Sequence, residues 1–343
     1  MILKMLRNYL MVLIFFLLIS FIYIISSQKN RISAYEYGGD NKSIKNEVVI
    51  DHVTPLDKKT GNSELDSFID CYKEPIAKED FTPEMNKKID EIYKLFSNSS
   101  IKVSFVYEDI YTGLHLSYNE NSTYFAASVI KSPVVLYIYE LYLNGELDLN
   151  EVLTYTPNHY VAGTGSLQYQ KYGTRYTIRE LIAKTIIESD NVAYSMLCAR
   201  VNNTGIREYW KEKGVTTFWY GNSIWGKVNS KDGAIYMKEL YKFLDEHPEL
   251  KEEILSYYFK SATRLITLDN PSIAIAHKSG WTSASIHDMA IVYSEQPYVL
   301  SINSLLGYNN FSYFFSKASN LINEFHDMYW NKKSEYCYRK VFE

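Results

Sequence analysis

The segment 126-AASVIKSPVV-135 sets Ser128 and Lys131 three residues apart, where a polar stretch gives way to an apolar one. On a helix, residues i and i+3 share a face. The pair reads in two ways: an ordinary helix start with a serine near its cap, or a nucleophile with a base one turn away. A serine hydroxyl is a poor nucleophile until a base removes its proton. A lysine can be that base only when neutral, and burial or a second nearby cation lowers its pKa. The spacing alone decides nothing, since roughly two or three S-x-x-K matches are expected by chance in such a chain. Ser99–Lys102 is one of them.

Two further segments resolve the ambiguity. Ser189-Asp190-Asn191 interrupts the helical stretch 177-TIRELIAKTIIESDNVAYSMLCARV-201, and Lys278-Ser279-Gly280 ends the apolar strand 272-SIAIAHKSGW-281. Alone, Ser-Asp-Asn reads as a turn. Lys59-Thr60-Gly61 is a decoy for the third motif, lying in a polar stretch ahead of any serine motif. S-x-x-K, S-D-N and K-T-G together form the signature of class A β-lactamases and penicillin-binding proteins. Here the three stand in order, at a helix start, a helix break and a strand end.

On these residues the chain from about 82 to 331 resembles the class A β-lactamase family of the serine β-lactamase and penicillin-binding protein superfamily. The segment 111–153, with its "GEL-L-E" turn after the helix, and the "G-x-G-x-L-Q" loop within 163–191 are similar to that family's. The resemblance implies that Ser128 is acylated, Lys131 takes its proton, and Ser189 relays a proton to the leaving nitrogen. It implies that Asn191 holds the substrate's amide, and that Lys278, Ser279 and Gly280 bind its carboxylate end. The backbone N–H groups of Ser128 and Trp281 would form the oxyanion hole. His277 reads as structural. Tyr160 stands either at the substrate's edge or on plain surface.

The resemblance breaks at one position. A class A β-lactamase carries a glutamate about 35 residues after S-D-N that activates the water releasing the acyl group. The corresponding stretch, 214-GVTTFWYGNSIWGKVNSKDG-233, has no Asp or Glu before Asp232, which itself reads as a helix N-cap. Lys131, or Glu208 or Glu212 folded inward, would be substitutes; Asn222 or Asn229 can position water but cannot take its proton. Slow deacylation is therefore expected.

The rest of the sequence bounds the setting. The 343 residues suffice for one large domain or two small ones. The formal net charge of −4 argues against nucleic acid as a partner. The seven histidines are scattered with no H-E-x-x-H or H-x-H pattern, so neither a metal site nor a cofactor is expected. None of the three cysteines forms a C-x-x-C pair; Cys198 reads as a buried thiol, and whether Cys71 and Cys337 are bridged is left open.

Residues 9–27, YLMVLIFFLLISFIYIISS, carry no charge and follow Lys4 and Arg7, which predicts an uncleaved signal-anchor over 1–27 rather than a cleaved signal. With the short basic end inside, the remainder lies outside the cell membrane. Residues 28–81 read as a polar stalk. Thr82 and Pro83 then open a helix whose face carries Met85, Ile89, Ile92 and Phe96.

The order of elements after Ser99 predicts an α+β, β-lactamase/transpeptidase-like domain over 82–332. Residues 82–125 and 265–332 would form an antiparallel sheet flanked by terminal helices, and 126–264 an all-helical part. The expected function is that of a membrane-anchored serine hydrolase acting on β-lactams. The alternatives are a D-Ala-D-Ala peptidase acting on peptidoglycan stem peptides and a non-enzymatic β-lactam or peptidoglycan sensor.

Overall fold

The computed structural model describes residues 63–201, 203–221, 223–305 and 311–342. The expected anchor over 1–27 and most of the stalk lie outside the described residues. Among the described residues no helix is long and apolar enough to cross a membrane.

The centre is a five-stranded antiparallel sheet of β1 (Val103–Asp109), β2 (His115–Tyr118), β7 (Ala274–Trp281), β8 (Ile286–Tyr293) and β9 (Tyr298–Ser304), in the order β2-β1-β9-β8-β7. All seven residues of β9, and all but one of β1, are buried, as befits inner strands covered on both faces. Strand β7 is the edge strand and carries the Lys-Ser-Gly motif. Its register sets Ser279 opposite Asp288 and Gly280 opposite His287.

Helices α2 (Pro83–Ser97) and α9 (Phe311–Phe342) pack on each other, and α7 (Ser230–Glu246) packs on β1, β8 and β9. The core joins Met85, Ile92 and Phe96 of α2 to Phe105 and Tyr107 of β1, Leu300 and Ile302 of β9, and Phe315, Ile322 and Phe325 of α9. Thr82 caps α2 as expected, its Oγ1 accepting from Met85 N at 3.2 Å, with Pro83 at the first helical position.

The intervening chain is mostly helical: α3 (Lys131–Leu143), α4 (Ile178–Ile187), α5 (Asn191–Val201), α6 (Asn203–Glu212) and α8 (Pro248–Phe259). Two small ribbons interrupt it, β3 (Tyr124–Phe125) with β6 (Lys227–Val228), and β4 (Val152–Thr154) with β5 (Arg175–Thr177).

The folded region begins earlier and ends later than the sequence suggests. Helix α1 (Ser63–Lys73) and a 3-10 turn (Lys78–Asp80) lie inside the stretch read as stalk, and α9 continues past residue 332 to Phe342. Cys71 and Cys337 form a disulfide joining α1 to this continuation. Tyr72 packs on Trp330 and Phe68 on Phe342, while Ile76 and Phe81 reach the core. An 11-residue helix is marginal alone and holds through tertiary contacts, which local periodicity does not register.

Candidate active site

Ser128 lies in a 3-10 turn, Ala127–Ile130, that precedes α3, so the regular helix starts at Lys131 rather than at Ser128. Pro133 therefore sits in the first α-helical turn, where Pro is tolerated, and not in the helix interior as its place in a helix from Ser128 suggested. Ala127 has φ +48°, a left-handed conformation costing a non-glycine residue about 1–3 kcal/mol. The strained residue turns the chain sharply from β3 into the serine turn, leaving Ser128 only partly buried.

Gly280 brings β7 against this turn. A Cβ there would lie 2.5 Å from Ser128 N and 2.7 Å from Val129 N, so only glycine fits. Trp281, the last residue of β7, follows directly and is half-buried.

Lys131 is completely buried. Its Nζ lies 2.5 Å from Ser189 O, 3.2 Å from Ser189 Oγ and 2.7 Å from Asn191 Oδ1. Its hydrogen bonds thus run to the S-D-N turn rather than to Ser128. Burial, and then the neighbouring Lys278, push its pKa well below the ordinary lysine value, partly opposed by Asp190. A neutral amine has two protons and one lone pair. Since the Ser189 carbonyl and Asn191 Oδ1 only accept, the lone pair faces Ser189 Oγ.

Lys278, also fully buried, donates to Ser189 Oγ at 3.1 Å and to Ser279 O at 3.0 Å. Burial lowers its pKa to about 8, opposed by Asp288. Ser189 Oγ therefore stands between two lysines, able to accept from Lys278 and donate to Lys131. Ser189 has φ +52°, which breaks the helical run between α4 and α5.

The turn is held by Asp190, to which the motif reading gave no separate role, and by Thr164 and Gly165. Asp190 Oδ1 accepts from Val192 N and Ala193 N, capping α5, while its Oδ2 accepts from Leu167 N. Thr164 Oγ1 donates to Ser189 O at 2.5 Å. Gly165, at φ +97°, lies so close to Asp190 that a Cβ would fall 2.2 Å from its carboxyl carbon. The G-x-G spacing was the available signal for this cradle. Asn191 donates to Ala162 O at 3.0 Å while accepting from Lys131, which leaves one amide proton for a ligand.

Side chains alternate along a strand, so Lys278 faces Ser189 while Ser279 turns to the other face. There its Oγ donates to the carbonyl of Ala262 at 3.2 Å. On that same face the His277 ring lies between Asp288 Oδ1 and the Ser261 carbonyl, each at 3.1 Å, a structural role as expected. Tyr160 is half-exposed on the loop leading to Gly163.

A sequence profile described as the β-lactamase enzyme family matches residues 85–325. The chain belongs to this family. It is accordingly a serine hydrolase, β-lactamase-like. Among solved structures it is similar to PBP-A at 22% identity, covering 70% of this chain and 96% of that one with a TM-score of 0.65. A mutant of PBP-A, solved as its acyl-enzyme complex with penicillin G, gives 21% identity over 71% and 97%, also at 0.65. A β-lactamase from Sphaerobacter thermophilus DSM 20745 gives 16% identity over 71% and 97% at 0.63. At such identities the likeness is one of fold. No curated protein sequence matches the chain.

Within this β-lactamase-family domain, none of the carboxylates near the loop is free to take the place of the family's glutamate among the described residues. Glu208 and Glu212 are exposed on α6, whose buried residues are Ile206 and Trp210. Asp232 is fully buried and is not the N-cap of α7; Asn229 is, accepting from Asp232 N at 2.7 Å. The Asp232 carboxylate instead accepts from the backbone and hydroxyl groups of Thr216 and Thr217. Asn229 is further occupied in donating to Thr216 Oγ1, and Asn222 lies outside the described residues. This loop brings an indole to the site: Trp225 has its ring centre 5.8 Å from Lys131 Nζ.

Proposed function

We propose that this protein is an extracytoplasmic, membrane-anchored serine hydrolase whose Ser128 is acylated by β-lactams and releases the acyl group slowly. The observation that carries the reading is the buried Lys278–Ser189–Lys131 chain beside Ser128, with Gly280 holding β7 against the serine's backbone nitrogen. In this reading Ser128 Oγ attacks the lactam carbonyl and its proton passes to Lys131, directly or through Ser189. Ser189, recharged by Lys278, then protonates the departing nitrogen. The N–H groups of Ser128 and Trp281 stabilise the oxyanion, a contribution of about 3–4 kcal/mol per donor in comparable sites.

The Cys71–Cys337 bridge supports an oxidising, extracytoplasmic location, since such bonds persist outside the cytosol. The absence of an available carboxylate in the described part of 214–233 favours a second reading, a D-Ala-D-Ala peptidase. Such an enzyme also forms an acyl-serine and needs no such glutamate.

The test is intact-mass spectrometry of the full chain after mixing with penicillin G, followed over time. One acyl group per chain is expected to appear rapidly and leave slowly, and Ser128→Ala is expected to take none. Label on Ser189 or Ser279, or no label, would overturn the assignment. Fast steady turnover with no accumulating adduct would restore an efficient β-lactamase.

A further inference from the structure

On either side of position 222 the chain folds back on itself and sets the Trp225 ring beside Lys131, its centre 5.8 Å from Nζ. Trp219 pairs with Gly226, and Tyr220 N donates to Trp225 O at 2.9 Å. Ala126 N, two residues before Ser128, donates to Gly226 O at 2.9 Å. Gly226 has no room for a side chain, since a Cβ would lie 2.6 Å from Phe218 O. The indole packs 5.7 Å from the ring of Tyr194 and 6.2 Å from that of Phe125. Tyr194 is itself locked, donating from its hydroxyl to Ile224 O at 2.6 Å and accepting from Trp219 Nε1 at 3.1 Å. Its ring lies 5.7 Å from Lys131 Nζ. Two aromatic rings thus cover a fully buried amine, and the indole is the one that reaches solvent.

Release of an acyl group from Ser128 requires water to add to the ester carbonyl. The bond to Ser128 Oγ then breaks, and the water's proton returns to that oxygen. Water needs both a path and a base. Lys131 is engaged away from the ester, its Nζ bonded to Ser189 O, Ser189 Oγ and Asn191 Oδ1. The partly exposed indole stands between this amine and solvent-facing chain, its ring centre 5.8 Å from Nζ.

We propose that Trp225 sets the lifetime of the acyl-enzyme by keeping water from the Lys131 side of the Ser128 ester. It is a positioning residue in this role, acting on solvent rather than on substrate. The proposal rests on acylation of Ser128 as read above.

The experiment uses the full chain, labelled with penicillin G and freed of excess drug, with acyl loss followed by intact mass. Hydroxylamine, a small neutral nucleophile that needs no general base, is added to half of each sample. It is expected to leave release from the unaltered protein within about threefold of the spontaneous rate. Trp225→Phe is expected to behave alike. Trp225→Ala is expected to release at least about tenfold faster in hydroxylamine, and Trp225→Glu, which opens the path and adds a base, about a hundredfold faster in water alone.

Rapid hydroxylamine release from the unaltered protein would overturn the proposal without any variant, so it remains testable should Trp225→Ala not fold. Trp225→Ala and Trp225→Glu both releasing at the unaltered rate would overturn it as well. A failure of the unaltered chain to label would instead overturn the underlying reading.

Discussion

Ser189 Oγ sits 3.1 Å from one lysine amine and 3.2 Å from another, and this contact fixes what pH must do. Lys131 can accept a proton only when neutral, so acylation rises as pH climbs through its depressed pKa. Lys278 repels the Lys131 charge and can hand a proton to Ser189 only as an ammonium, so acylation falls as pH climbs through about 8. A bell with its alkaline limb near pH 8 is the expected profile of penicillin acylation rate. Lys278→Ala removes the neighbouring cation, which lets the Lys131 pKa rise and moves the acid limb to higher pH. An alkaline limb unchanged in Lys278→Ala would assign it to another group. The motif residues were legible from type and order. The partner of Lys131 was not: i+3 spacing put it on Ser128's face, whereas its bonds run to residues about sixty positions away. Tertiary burial, which the sequence does not display, decides where an amine points.

At the scale of elements, the decisive contact is edge strand β7 against the Ser128 turn. Gly280→Ala would place a methyl 2.5 Å from Ser128 N, and neither backbone can yield cheaply. The strand must move outward, carrying Lys278 and Trp281 with it. The expected result is a fall in acylation rate of at least about tenfold with a stability loss of roughly 1–3 kcal/mol, read by stopped-flow labelling and thermal unfolding. A normal rate would mean that β7 does not position the oxyanion donor. The break between α4 and α5 was visible because Ser-Asp-Asn interrupts an apolar periodicity. The serine turn was misread by three residues because Ala127 adopts φ +48°, a conformation no local propensity favours.

For the whole molecule, the bond between Cys71 and Cys337 spans 266 residues and closes nearly the entire described chain into one loop. A cross-link over so long a loop restricts the unfolded ensemble strongly, typically contributing about 2–5 kcal/mol. It also keeps α1 against the end of α9. The sequence left this bridge open because two cysteines far apart in a chain carry no geometric information; only the packing of both terminal segments together supplies it. Cys71→Ser with Cys337→Ser is expected to lower Tm by roughly 5–15 °C, at about 2–4 °C for each kcal/mol in a domain of this size. Penicillin labelling of Ser128 at about 25 °C should persist, since neither cysteine touches the Lys131–Ser189–Lys278 chain. Calorimetry with and without reductant checks the first expectation and gel fluorescence with a labelled penicillin the second. An unchanged Tm would mean that α1 docks without the bond. Loss of labelling with the fold intact would mean that the terminal staple reaches the active site through α9 and the sheet.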